Sequence, residues 1–291
     1  MVAHAYTAAG DRNFPPTLLL PQPAPADAFW SPVSTQPENA AKPGDATYET
    51  QLTGTYSKLI TERLGIQLEY GLTRLTRLDQ TPVTGAQNFH LVLQYEPVLD
   101  QDHEFLMSVQ VDQEFGGTGT QSVGAFRQSA TTPGITFAKG LGDLPIGYLR
   151  PLALTGFAGF SAAEGPTPDS GGGNQRRPNL AQAGLSIQYS IPYLLSKVTS
   201  LDLPSFLRGM TPMTELYFKN PVGNGYGNST SVLVAPGVSY SQGTGWEAAI
   251  EATIPTTRTA GRGVGVIAQL VLQLDYLLAG SFFGRPIFAP R

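Results

Sequence analysis

The stretch Leu64-Gly65-Ile66-Gln67-Leu68-Glu69-Tyr70-Gly71-Leu72-Thr73 changes character at every step, apolar then polar or glycine. A period of two puts Leu64, Ile66, Leu68, Tyr70 and Leu72 on one face of a strand and Gly65, Gln67, Glu69, Gly71 and Thr73 on the other. The split recurs in Ala183, Leu185, Ile187, Tyr189 and Ile191 against Gly184, Ser186, Gln188 and Ser190. It recurs again in Val264, Val266, Ala268, Leu270, Leu272 and Leu274 against Gly265, Ile267, Gln269, Val271, Gln273 and Asp275. A helical period fits none of the three. At about 3.3 Å per residue and a tilt of roughly 40°, ten residues rise about 25 Å, the height of the apolar band of a transmembrane barrel.

Working outward, the same pattern predicts strands at 46–58, 63–73, 87–96, 104–115, 131–140, 147–160, 180–191, 212–219, 230–241, 245–255 and 263–276. Short connections at 59–62, 97–103, 141–145 and 242–244 interleave with longer polar loops at 74–86, 116–130, 161–179 and 220–229. Short turns at one rim and long loops at the other are the habit of outer-membrane barrels. Pro192–Thr211 falls where a short turn is due; within it Tyr193–Val198 is expected to form a helical turn against the rim. Loop parity requires an earlier upward strand, and 28–36 is the candidate, although its pattern is weak and Pro32 suits a strand end. The count is then twelve, with both termini on the periplasmic side. Aromatic pairs bracket several strands (Tyr48 and Tyr56, Phe89 and Tyr95, Phe105 and Phe115, Tyr148 and Phe160), as rings seeking both water–lipid boundaries would.

Composition agrees with this and narrows the alternatives. Charged residues are 14% of the 291, with 33 Gly and 24 Pro, against about 25% charged in a typical soluble domain. The polar face holds Gly, Ser, Thr and Gln with few Lys. A soluble β-sandwich or lipocalin-like barrel would carry mixed charge there, and a lumen accounts for the polarity more directly. A net charge of −4 offers no footprint for nucleic acid. There is no Cys, and no stretch reaches the roughly 20 apolar residues of a spanning helix. The start, Met1–Tyr6, has neither the basic nor the apolar region of a signal peptide, although Ala3-His4-Ala5 fits a small-x-small cleavage pattern.

Motifs for chemistry are weak. Gly263-Val264-Gly265-Val266-Ile267-Ala268 matches a dinucleotide fingerprint but lacks the preceding strand, the following helix and the distal acid, so close strand packing explains it better. His4, His90 and His103 are too scattered for a metal. Asn228-Ser229-Thr230 is a chance sequon, and Gly171–Arg177 reads as an outer loop with a basic spot. The first 25 residues, with Pro15, Pro16, Pro21, Pro23 and Pro25, read as an extended leader rather than a plug. No cofactor, metal or catalytic residue is expected, and the chain is not expected to be an enzyme. The candidate site is the inward face: Glu49, Glu69, His90, Asp112, Glu114, Glu215, Glu247 and Glu251. These would line an acidic lumen that favours cations or neutral polar solutes.

Three segments carry a resemblance: Lys58-Leu59-Ile60-Thr61-Glu62-Arg63-Leu64-Gly65-Ile66, Tyr193-Leu194-Leu195 through Leu203-Pro204 to Thr214-Glu215-Leu216, and Ile250–Pro255 followed by Gly261–Gly265. Over about residues 46–288 the chain resembles the proteobacterial outer-membrane proteins described as transporters or as meta-pathway phenol-degradation proteins. The resemblance implies an outer-membrane barrel linked to uptake of hydrophobic or aromatic compounds; its motifs are structural, so no site residue comes with it. The expectation is therefore an all-β, single antiparallel up-and-down transmembrane barrel of about 12 strands over 28–278, with a Pro-rich extension at 1–27 and a tail at 279–291. Its partners would be outer-membrane lipid and lipopolysaccharide, a small solute, and a protein at the periplasmic or outer rim. It would act as a channel in the bacterial outer membrane or, alternatively, as a non-conducting scaffold or receptor.

Overall fold

The computed structural model describes residues 8–38, 40, 44–164, 177–222, 230–241, 243 and 245–288. Ala8–Ala9 (β1) and Arg12–Asn13 (β2) form a small hairpin. The wall begins with β3 (Ala28–Pro37), β4 (Ala46–Leu59) and β5 (Leu64–Arg77), followed by β6 (Gln80–Ala86), β7 (Phe89–Asp100) and β8 (Phe105–Phe115). It continues with β9 (Ala130–Gly140), β10 (Leu152–Ala163), β11 (Asn179–Tyr189) and β12 (Met210–Val222), and ends with β13 (Ser231–Ser241), β14 (Trp246–Pro255) and β15 (Gly265–Gln273).

Every pairing is antiparallel, each strand lies beside its sequence neighbours, and β3 pairs with both β4 and β15, so the sheet closes on itself. β6 and β7 both pair with β5, one above the other, and act as one strand broken at Gln87–Asn88. The chain is a closed antiparallel 12-strand barrel. Closure pairs both edges of the ring over the height that faces lipid, which such a wall requires, while β6, at the upper rim, pairs on one side with β5.

The alternation orients the side chains as expected. Leu68 and Leu270 are 41% and 47% exposed on the outer face, while Gln188 and Gln269 keep 1% and 5% on the inner. Phe89 and Phe115 stack at 5.8 Å near one rim, and Tyr240 and Trp246 lie 6.0 Å apart near the other.

Several expectations need correction. Pro32 sits inside β3, opposite Gln269. Its missing donor coincides with a gap in the ladder to β4, where Ser31 Oγ donates to Thr53 O at 2.9 Å. Residues 74–86 are not a loop: β5 continues to Arg77, turns at Leu78–Asp79 and returns as β6. Residues 147–149 form a 3₁₀ turn, so Tyr148 belongs to the rim below β10 rather than to a strand. Asp275 lies in a helical turn, Leu274–Leu277, beyond the end of β15.

The segment after β11 does form helical turns over 191–198. Its first turn is capped by Ser190 Oγ, which accepts from Tyr193 N, and Leu194 is buried under the rim. Arg177 is no part of a solvated basic spot; it is buried, donates to Gln128 O at 2.9 Å and to Glu114, and stacks on Phe126. The glycine run 171–173 lies outside the described residues, as do His4 and residues 228–229 of the sequon. Gly265 is tightly packed: a Cβ there would meet Thr35 O at 2.4 Å, so strand packing accounts for this glycine.

Candidate functional site

The inner wall does not face an empty bore, because residues 8–27 run inside it. Phe14, Leu18, Leu20, Ala24 and Ala26 are buried, and the segment touches the inward faces of strands all around the ring. It starts at the lower rim, the one bearing β3's start and β15's end. There Arg12 donates to Glu104 (3.2 Å) and Pro151 O (3.0 Å) and stacks on Tyr193 at 3.6 Å. It climbs to Leu18 and Leu19, whose N–H groups donate to the two oxygens of Glu215 at 3.0 and 2.8 Å. It then passes Gln94, whose amide donates to Gln22 O at 2.8 Å, and Ser108, whose hydroxyl donates to Pro23 O at 2.8 Å. It returns to the lower rim at Asp27, which accepts from Lys58 Nζ (2.7 Å) and Leu59 N (2.8 Å). The leader expected from the Pro-rich composition is thus a re-entrant loop anchored by a buried ion pair at each foot.

The chemistry of wall and segment is complementary. Each proline removes an N–H that would need a partner in a confined space, yet leaves its carbonyl as an acceptor. The wall supplies the donors from side chains at alternate positions: Thr136 Oγ1 to Pro23 O at 3.1 Å, Ser57 Oγ to Ala26 O at 2.7 Å, and Gln188 Nε2 to Pro15 O at 3.5 Å. Apolar residues on the otherwise polar inner face meet apolar residues of the segment. Ile267, Met213 and Ala249 pack with Leu18; Val271 packs with Ala26, Ala28 and Trp30; Leu106, Ala138 and Ala153 pack with Phe14 and Ala24. Gly184 makes room for Leu20, since a Cβ there would lie 2.1 Å from Leu20 Cδ2.

The candidate carboxylates fall into two groups. Glu69, His90, Asp112 and Glu114 come together on adjacent strands toward the upper rim. His90 Nδ1 lies 3.0 Å from Asp112, Glu69 accepts from Thr55 Oγ1 at 3.0 Å, and Glu114 accepts from Asn88 at 2.7 Å and from Arg177. Glu215, Glu247 and Glu251 lie across the ring on β12 and β14. Glu215 holds the inserted segment and Glu247 accepts from Ser239 Oγ at 2.8 Å. Both oxygens of Glu251 are buried without a hydrogen-bond partner among the described residues. Glu49 stands on β4, bonded by Gln51.

Charge alone does not mark the residues that hold the segment: Gln94, Ser108, Thr136, Gln188 and Lys58 on the wall, and Arg12 and Asp27 on the segment itself. Uncharged donors repeated at inward positions, together with a proline-rich stretch short of N–H groups, are the signal that would have found them.

The barrel and its polar inner face define a porin-like outer-membrane fold. Among solved structures, the COG4313 outer membrane channel from Pseudomonas putida F1 aligns with a TM-score of 0.61 at 10% identity, over 89% of this chain and 99% of that one. The NanC and KdgM porins align more loosely, at 0.49 and 0.48 with 10% and 12% identity, each over 84% of this chain and 98% of its own. No protein-family model matches the sequence, and no curated protein matches it either. At these identities the likeness is one of fold.

Proposed function

We propose that the chain is a narrow channel of the bacterial outer membrane that admits small solutes through its lumen, with both termini periplasmic. The observation behind this reading is that wall and filling are separable. Strands β3 to β15 close a ring by themselves, and the filling is one segment continuous with the wall only where Asp27 meets Ala28. That segment is held by side-chain hydrogen bonds to a polar lining and not by a continuous apolar core. Likeness in fold to an outer-membrane channel supports the reading, as does the alternation that turns leucines outward. Glu247 and Glu251, at inward positions of β14, are the proposed selectivity groups once the segment moves aside and water reaches them, since carboxylates lining a narrow pore set its potential.

The test is planar-bilayer conductance of the full chain, of a chain lacking residues 8–26, and of Glu247→Gln plus Glu251→Gln. The channel reading expects current in the full chain, more current after the deletion, and reduced cation preference in the double variant. Unchanged reversal potentials remove the proposed lining. The filled lumen favours a second reading, a non-conducting barrel that serves as scaffold or receptor; silence of both the full and the deleted chain at every salt and voltage selects it.

A further inference from the structure

At the upper rim, the loop between β14 and β15 forms an open pocket of about 720 Å³ lined by residues 254–258 and 261–264, with Arg258 and Arg262 among its walls. Alternation decides which way its flanking residues face. Thr253 and Gly265 are buried on the inner face, so Ile254 and Val264 beside them face outward, and Val264 is 62% exposed. Below them the outer face continues through Ile250, Val266 and Leu270, all exposed apolar residues of the lipid-facing wall. The pocket therefore sits where hydrocarbon gives way to headgroups, with apolar side chains on its lower side.

The loop is built rather than loose. Thr257 Oγ1 accepts from Val232 N at 3.1 Å, Thr256 Oγ1 donates to Val232 O at 3.1 Å, and Arg262 N donates to Pro37 O at 3.0 Å. Gly261 has φ +124°, and a side chain there would press on Gln36 and Pro37, which would displace the neighbouring arginine. In an acidic chain with 18 Lys and Arg among 291 residues, two arginines four positions apart bring two guanidinium groups to one rim loop. The guanidinium fork matches phosphate oxygens in pairs, which an ammonium does not.

We propose that this pocket binds the phosphorylated headgroup of an outer-leaflet glycolipid, with Arg258 and Arg262 on its phosphates and Ile254 and Val264 against the start of its acyl chains. The lipid source is favoured over a soluble phosphate because Ile254 and Val264 in the pocket's lining face the lipid side of the wall. The inference rests on the outer-membrane reading, which sets this rim outward.

The test is binding of bisphosphorylated lipid A to the full chain refolded in uncharged detergent micelles. Arg258→Gln plus Arg262→Gln is expected to weaken binding at least about tenfold, one charge-assisted contact being worth about that factor or more. Val264→Asp, a change at an exposed position, is expected to weaken it too, while Arg63→Gln at the opposite rim leaves it unchanged and inorganic phosphate does not compete. Heat-modifiable migration reports that each variant is folded. Unchanged binding in the folded double variant, equal loss in Arg63→Gln, or displacement of lipid A by inorganic phosphate overturns the proposal. Bilayer conductance of the double variant is expected to match the parent, so loss of lipid binding with current intact separates this site from the channel reading.

Discussion

Removing Arg12 should free the first foot of the inserted segment, the one at Arg12, without opening the barrel. Arg12 is fully buried and is held by Glu104, by the carbonyls of Arg150 and Pro151, and by the ring of Tyr193. In Arg12→Met the closed state keeps Glu104 buried without its cation, whereas in the released state Glu104 meets water, so the cost falls on closure. Breaking a buried pair by removing one partner costs about 3–5 kcal/mol, which multiplies the released population by a factor of roughly 10² to several thousand. The chain has no Cys, so one introduced thiol reports alone. Ala9 is fully buried beside Phe14 and Leu106, and Ala9→Cys should react with a thiol reagent only when the foot is released. Because both proteins carry the same cysteine, its own cost cancels to first order. Labelling of Ala9→Cys/Arg12→Met is expected to be at least about a hundred times faster than that of Ala9→Cys, with heat-modifiable migration unchanged. A rate within twofold of the parent would refute the latch.

Two further outcomes test the same packing. Gly184→Val places a methyl-bearing carbon against Leu20 and Leu216 O and is expected to cost about 1–3 kcal/mol in denaturant unfolding from micelles; Leu20→Ala in that background should restore most of it. Lys58→Met leaves Asp27 buried with Leu59 N as its remaining hydrogen bond among those described and is expected to cost about 3–5 kcal/mol in the same assay. Pairing it with Asp27→Asn should recover a large part, since the orphaned charge is then gone.

The wall was legible because lipid outside and polar groups inside impose one strict period on every strand; Leu64–Thr73 and Val264–Gln273 show it residue by residue. Residues 28–37 were recoverable only through loop parity, because Trp30 is claimed by the inserted segment and Pro32 by a ladder gap, and both blur the alternation. The hairpin at 74–86 was hidden because it extends past the apolar band, where no lipid enforces the outward face. The inserted segment was misread for a related reason. Its contacts are backbone carbonyls meeting Gln94, Ser108, Thr136 and Gln188, and a proline-rich stretch has the same composition whether solvated or held. The interruptions Ile267 and Val271 on the polar face were visible, and their partners Leu18 and Ala26 lie about 250 residues away. The candidate carboxylates lie at inward positions of their strands, but that Glu215 grips two N–H groups while Glu251 grips none depends on where the inserted segment passes.

A transmembrane wall requires its strands to turn one face to lipid and the other to the lumen. Single cysteines placed in turn at 265 to 273, spin-labelled in lipid vesicles, give oxygen and nickel-chelate accessibilities along β15. The barrel described above predicts a period of two, with oxygen maxima at positions 266, 268, 270 and 272 and minima at Ile267, Gln269 and Val271. A profile without that period, or with its maxima on Gln269 and Val271, would contradict a wall whose apolar face is turned to lipid.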